Sequence, residues 1–221
     1  MGIYQRHVLP RLVDWGCGMG TITEQRDRIV PRACGRVLEL GIGSGRNLPL
    51  YDPEEVEIVW GVDPSPELYR MAAPRAAGLP FPVRFFVRNA DEPGLPMAKG
   101  SIDTVVITYA MCTIPDPAGA LREARRTLGP EGRLLFAEHG RSPDPAVRRW
   151  QERATPAWSK LTGGCRLDRD PLAILAAAGF EVRELDTGYL PGWKPASWHY
   201  LGVAAPAGAG PVTDAAEMPG P

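Results

Sequence analysis

The sequence predicts an α/β domain: a seven-stranded, mostly parallel sheet with helices on both faces and the last strand antiparallel. Three observations carry this. From Arg36 onward, short apolar runs alternate with helical stretches, the pattern of strands linked by crossover helices. The first run ends in a glycine-rich turn at residues 41–45, and an acid, Asp63, closes the second. The run at residues 104–108 is apolar on consecutive positions, as a strand covered on both faces must be.

Each element has its own local signal. Residues 11–30 carry Leu12, Val13, Trp15, Ile22, Ile29 and Val30, interrupted by Gly16, Gly18 and Gly20. This reads as two short helices about a flexible turn, whose apolar residues need something to bury against. Residues 1–35 are therefore expected to form a helical lid ahead of the main domain. Strands are expected at 37–40, 56–62, 83–87, 104–108, 133–137, 181–186 and 198–204. The glycine-rich turn is expected to lead into a helix start. A helix at 66–77 has Pro66 in its first turn, where the missing N–H is not needed. A helix at 117–128 is stopped by Gly129 and Pro130. One at 170–178 opens on Asp170 and ends at Gly179. The main domain is expected to span 36–204. Residues 205–221 are small and rich in Pro and Gly, too poor in apolar surface to offset the cost of ordering, and are expected to be a disordered tail.

Composition narrows the function. The chain has 221 residues, enough for one well-buried domain, and its 25 basic and 26 acidic residues leave a net charge of −1. A nucleic-acid binder, which needs a basic excess or a basic face, is not expected. No apolar run approaches the length of a bilayer span, and the broken N-terminal segment lacks the pattern of a signal peptide, so a cytoplasmic protein is expected. Cys17, Cys34, Cys112 and Cys165 are far apart in sequence. They match neither a zinc-site spacing nor a disulfide framework, so no metal is expected.

The sharpest signal is the segment Val37-Leu-Glu-Leu-Gly-Ile-Gly-Ser-Gly-Arg-Asn47. Glycines in such a turn permit positive φ and close approach of the backbone to a ligand. Asp63 lies where a carboxylate meets a ribose diol in nucleotide sites of α/β sheets. A dinucleotide would prefer G-x-G-x-x-G, and here Arg46 occupies the third-glycine register. Glu39, two residues before Gly41, is awkward beside a pyrophosphate and useful beside an ammonium.

These pieces resemble class I S-adenosylmethionine-dependent methyltransferases. V-L-E-L-G-I-G-S-G-R-N-L-P-L-Y is similar to their first motif and W-G-V-D-P-S-P to their second. S-I-D-T-V-V-I-T-Y-A-M-C-T-I-P-D-P resembles the fourth-strand motif of the ubiquinone/menaquinone methyltransferase-like group. N-L-P-L-Y, A-M-C-T-I-P-D, A-E-H-G and G-G-C-R-L-D-R-D resemble the branch acting on thiols and small lipophilic acceptors. The resemblance implies a Rossmann-like fold with S-adenosylmethionine as cofactor. Glu39, Gly41, Gly43, Gly45 and Asn47 would hold its methionine moiety and Asp63 its ribose. Pro64 and Ser65 would flank the adenine, Asp91 would approach its amino group with Glu92 competing for that role, Ala90 would belong to the same cofactor site, and Thr108 would lie near the sulfonium.

Tyr109, Met111, Ile114, Trp158 and Trp193 are expected to line an apolar pocket for a small-molecule acceptor, with Trp158 and Trp193 in irregular segments. His139, beside Glu138 at the end of the fifth strand, is the candidate general base. A thiol acceptor needs little such help, since its pKa is about 8.5. The competing readings are an NAD(P)-dependent oxidoreductase and a non-catalytic cofactor-binding module. A monomer and a homodimer are equally compatible with the sequence.

Overall fold

A computed structural model describes residue 4 and residues 8–209. Residues 210–221, most of the expected tail, lie outside the described residues. The sheet comprises β1 (Gly35–Leu40), β2 (Val56–Asp63), β3 (Val83–Val87), β4 (Ile102–Thr108), β5 (Leu128–His139), β6 (Phe180–Tyr189) and β7 (Trp198–Pro206). Its order is β3-β2-β1-β4-β5-β7-β6. The first five are parallel, and β7 runs antiparallel to both β5 and β6. β7 continues through Ala205 and Pro206, past the boundary expected at Ala204, because Ala205 pairs with Glu181 and Pro206 with Phe180.

Side chains alternate between two cores, one on each face of the sheet. Leu38, Val105, Ile107, Leu134 and Phe136 pack on the face covered by α4 (Pro117–Thr127) and α6 (Pro171–Ala177). Val37, Val59, Val106 and Leu135 pack on the other, with Ile29, Val30, Leu48 and Tyr51. Burying a side chain the size of Phe136 contributes about 2–3 kcal/mol, so these layers fix the strand register.

Four helices begin alike: a side-chain acceptor caps the first turn and proline follows. Ser65 caps α3 (Pro66–Ala76), Asp116 caps α4, Asp144 caps α5 (Pro145–Leu161) and Asp170 caps α6. α5 and the short α7 (Lys194–Ser197) are additions to the expected set, and they correct one placement. Trp158 lies within α5 rather than in an irregular segment. The helix expected after the glycine-rich turn is only a 3-10 turn at Leu48–Leu50, and the chain there continues into Tyr51, Asp52 and Pro53.

The N-terminal segment forms α1 (Leu9–Cys17) and α2 (Gly20–Ile29). Ile29 and Val30 are fully buried in the second core. Arg28 pairs with Asp186 at 2.8 Å and Arg32 with Glu184 at 2.7 Å, anchoring α2 and the turn after it to β6. Leu12 and Trp15, expected to be buried, are exposed on α1, because the helix turns Val13 and Asp14 toward the sheet end instead.

Candidate active site

Strand order reverses between β1 and β4, and ligands of such sheets bind outside the carboxyl ends of the strands at that point. A cleft of about 420 Å³ lies there. Its floor is the turn from Gly41 to Ser44. Its sides come from the segments after β2 (Asp63–Leu68), after β3 (Asn89, Ala90, Asp91) and after β4 (Tyr109, Ala110, Thr113, Ile114, Pro115). α1 forms a further wall with Leu9, Pro10, Val13, Asp14 and Cys17, and Arg26 of α2 joins it.

The glycine turn is held open by backbone conformations that suit glycine alone. Gly43 has φ +55°, and the nearest atom to a Cβ there would be the Gly41 carbonyl oxygen at 3.8 Å, so the space above it is free for a ligand. Gly45 has φ +77° and is required for packing, since a Cβ would lie 2.7 Å from Leu48 Cδ1 and 3.1 Å from the Ala72 Cβ. Asp63 accepts from Gly43 N–H at 3.1 Å through Oδ2 and from Ser65 N–H at 2.8 Å through Oδ1. Burial pushes its carboxyl up, and the Ser65 and Gly43 N–H groups oppose this. Each oxygen keeps a lone pair for one hydroxyl of a diol.

Glu39, Gly45 and Asn47 stand behind this surface and do not face the cleft. Glu39 accepts from Asn47 Nδ2 at 2.9 Å and from Tyr51 O–H at 2.7 Å. Asn47 also donates to Thr108 Oγ1 at 2.9 Å and accepts from Arg26 Nη1 at 2.9 Å. This buried network links β1, β4 and α2 beneath the cleft, and Thr108 and Arg26 are its members that line the cleft. Any influence of Glu39 on a ligand therefore runs through them. Burial lifts its carboxyl to about 7, with Tyr51, Arg26 and Asn47 opposing the rise.

The remaining expected residues divide. Pro64, Ala90, Asp91, Thr108, Tyr109 and Ile114 line the cleft with Gly41, Gly43 and Asp63. Of the two competing acids Asp91 lines the cleft and Glu92 does not; Glu92 accepts from Asn89 Nδ2 at 2.7 Å. Met111, Trp158 and Trp193 do not line it. Met111 is buried in the core. The rings of Trp158 and Trp193 are 5.3 Å apart, and Trp150 stands edge-on to Trp193 at 5.6 Å; this cluster joins α5 to α7. His139 is also outside the lining, with its Nε2 3.3 Å from Cys165 Sγ and its Nδ1 unpartnered.

Asp14 was not foreseen. It accepts from Ser44 Oγ at 2.5 Å and from the Arg46 guanidinium through two contacts of 2.9 Å. Arg46, which occupies the third-glycine register of a dinucleotide motif, thus fastens α1 to the glycine turn. Gly18 leaves room for it, since a Cβ there would lie 2.3 Å from the guanidinium carbon. Tyr109 is the one described non-glycine residue with positive φ, at 52°, and its buried hydroxyl has no partner. The Arg26 guanidinium lies 5.4 Å from its ring centre.

A reversing α/β sheet, a glycine turn with free space above it and an acid poised for a diol define a nucleoside-binding enzyme of the Rossmann-like class. A methyltransferase-domain family model matches residues 20–185. The human thiol S-methyltransferase TMT1B is 33% identical over 177 residues, covering 78% of this chain and 72% of that protein. The demethylmenaquinone methyltransferase of Thermus thermophilus is 30% identical over 197 residues, covering 80% and 88%. A solved S-adenosylmethionine-dependent methyltransferase from Methanosarcina mazei superposes with a TM-score of 0.59 at 21% identity, over 78% of this chain and 92% of that one.

The chain belongs to the methyltransferase-domain family and is an S-adenosylmethionine-dependent methyltransferase. No described helix is long and apolar enough to cross a membrane.

Proposed function

We infer that the enzyme methylates the sulfur of a small, lipophilic thiol. The observation that supports this most directly is the apolar wall of the cleft, where Leu9, Pro10 and Val13 of α1 and Ile114 and Pro115 after β4 line one space. Relatives named as thiol S-methyltransferases agree with it.

Bound S-adenosylmethionine supplies a methyl group on a sulfonium, an electrophile with a good leaving group. The residues present suit this cofactor: Asp63 offers two lone pairs for ribose hydroxyls, Gly43 leaves open space, and Asp91 lines the cleft after β3 as a candidate acceptor for the adenine amino group. The protein's own task is then alignment and exclusion of water. Orientation of two reactants contributes on the order of 7–11 kcal/mol. α1 covers the cleft as a lid, held by the contact of Asp14 with Arg46 and Ser44. A thiol needs no strong base, so a His139 outside the lining is no obstacle.

The test is S-adenosylhomocysteine release with matched panels of small thiols, phenols, quinols and amines. Turnover with alkyl and aryl thiols is expected. Turnover with quinols or phenols and none with thiols would overturn the acceptor assignment and leave the cofactor site standing.

A further inference from the structure

Cys112, His139 and Cys165 come from three separate segments: the turn after β4, the last residue of β5 and the loop after α5. Their Sγ and imidazole nitrogen atoms all lie within 4.8 Å of one another. His139 Nε2 is 3.3 Å from Cys165 Sγ, and the Arg166 N–H donates to the Cys112 carbonyl at 2.9 Å, holding the two loops together. Two thiols and an imidazole are a borderline-soft donor set.

We propose that Cys112, His139 and Cys165 bind a zinc ion and leave its fourth coordination position to the thiolate of the methyl acceptor. The fourth position rests on the thiol acceptor inferred above; the three protein ligands do not. Tetrahedral zinc with Zn–S of about 2.3 Å and Zn–N of about 2.0 Å sets its ligand atoms roughly 3.4–3.8 Å apart. The cluster needs to close by about an ångström at most.

Two further observations point the same way. Glu138, fully buried beside the cluster, has one oxygen occupied by the N–H groups of Ala110 and Met111 and the other without a partner. A buried oxygen of this kind calls for a partner beside the cluster, and the neighbouring Arg169 guanidinium is engaged with the carbonyls of Met111, Ile114 and Pro115. The cluster also borders the cleft. Cys112 Sγ lies 3.7 Å from the Tyr109 carbonyl oxygen and 3.4 Å from Thr113 Oγ1, and both Tyr109 and Thr113 line the wall. Three protein ligands with one open position is the arrangement of catalytic rather than structural zinc.

The chemistry balances without an oxidant. The acceptor thiol loses its proton to water on coordination. Its sulfur then forms the new bond to the methyl carbon, the bond from that carbon to the sulfonium breaks, and the electron pair stays on the departing thioether. The methylated product, an uncharged thioether, is a poor zinc ligand and leaves.

The test uses the full chain, reduced and stripped with a chelator, then loaded with Co²⁺ as a visible probe. Thiolate-to-cobalt and tetrahedral d–d bands are expected in the wild type and in Cys34→Ser, whose sulfur lies by Thr104 and Arg133. The bands should be lost in Cys165→Ser and in His139→Gln, each checked for folding by its melting curve. Adding a small thiol should shift the bands. Zinc-free enzyme should lose more than about tenfold in thiol turnover and recover on adding zinc, while S-adenosylhomocysteine affinity holds. Absence of bands in the wild type overturns the site, as does their survival in both variants. Bands unmoved by thiols, or full thiol turnover in zinc-free enzyme, overturn the fourth position while leaving thiol methylation intact. A chain active only on other acceptors defeats the thiol reading instead.

Discussion

Asp63 offers the most direct test of the cofactor site. Asp63→Ala removes two acceptor oxygens, each of which holds one backbone N–H and keeps one lone pair for the ribose. A hydrogen bond to a charged group contributes about 1.5–3 kcal/mol, so two lost ribose contacts set an upper range of roughly 3–6 kcal/mol. The cleft is open enough for water to fill the vacated volume, which returns about half of this. The expected weakening is therefore about 10- to 100-fold, or roughly 1.4–2.8 kcal/mol. The orphaned Gly43 and Ser65 N–H groups add a stability loss of about 1–3 kcal/mol, or roughly 2–12 °C in Tm for a chain of this size. Asp63→Asn is not conservative, because its NH2 must face one of the two N–H donors. Calorimetric titration with S-adenosylhomocysteine reads the affinity. A folded Asp63→Ala protein that binds within about twofold of wild type would refute the assignment.

Asp14→Ala frees α1 from Ser44 and Arg46; its ion pairs are partly solvated and worth less than about 1 kcal/mol of global stability. The Tm should barely change, while hydrogen exchange in α1 speeds up and the KM for S-adenosylmethionine rises. Deleting residues 1–18 is expected to have the same functional effect, whereas deletion through residue 30 also removes Ile29 and Val30 from the core and should lower the Tm by many degrees. Gly43→Val is expected to abolish cofactor binding, through its φ of +55° and the ligand space its side chain fills; normal binding in calorimetry would remove the glycine turn from the site. Glu39 gives a pH signature. Its carboxyl titrates near 4.5 when unfolded and about 7 when folded, so the folded state holds the extra proton between these values. Stability from this group is complete below the lower value and is lost as pH rises through the upper one. Glu39→Gln should remove that loss, so the Tm of the variant minus that of wild type should grow from pH 4.5 to 7.

Repeating local rules made most of the sheet legible. Buried strands announce themselves as runs such as Val105-Val106-Ile107, and helix starts as Ser65-Pro66 or Asp170-Pro171. α5 carries the same signal, Asp144-Pro145, but of the positions it buries only Val147 is apolar, while Gln151 and Thr155 are polar, so no apolar spacing marks its inner face. The floor of the cleft could be read from Gly41, Gly43 and Asp63 because the backbone path alone places them. Asp14 could not, since its partner Arg46 is 32 residues away and nothing local tells a cleft-facing acid from a solvated one. The aromatic residues misled for a related reason. Trp158 and Trp193 find each other across a helix and a loop, and that pairing satisfies the apolar surface that suggested a pocket.

The place of β7 in the sheet bears on how the chain is made. It is the last strand in sequence among the described residues, yet it sits inside the sheet between β5 and β6. A chain leaving the ribosome can assemble the five parallel strands as they emerge, but β5 keeps an open edge, and β6 has no partner, until residues 198–206 are released. The nascent protein therefore carries an unpaired β5 edge from the emergence of His139 until β7 follows, a surface prone to self-association. Ribosomes stalled before Trp198 should hold a protease-sensitive β6, and stop codons upstream of that point should yield aggregates rather than a smaller enzyme.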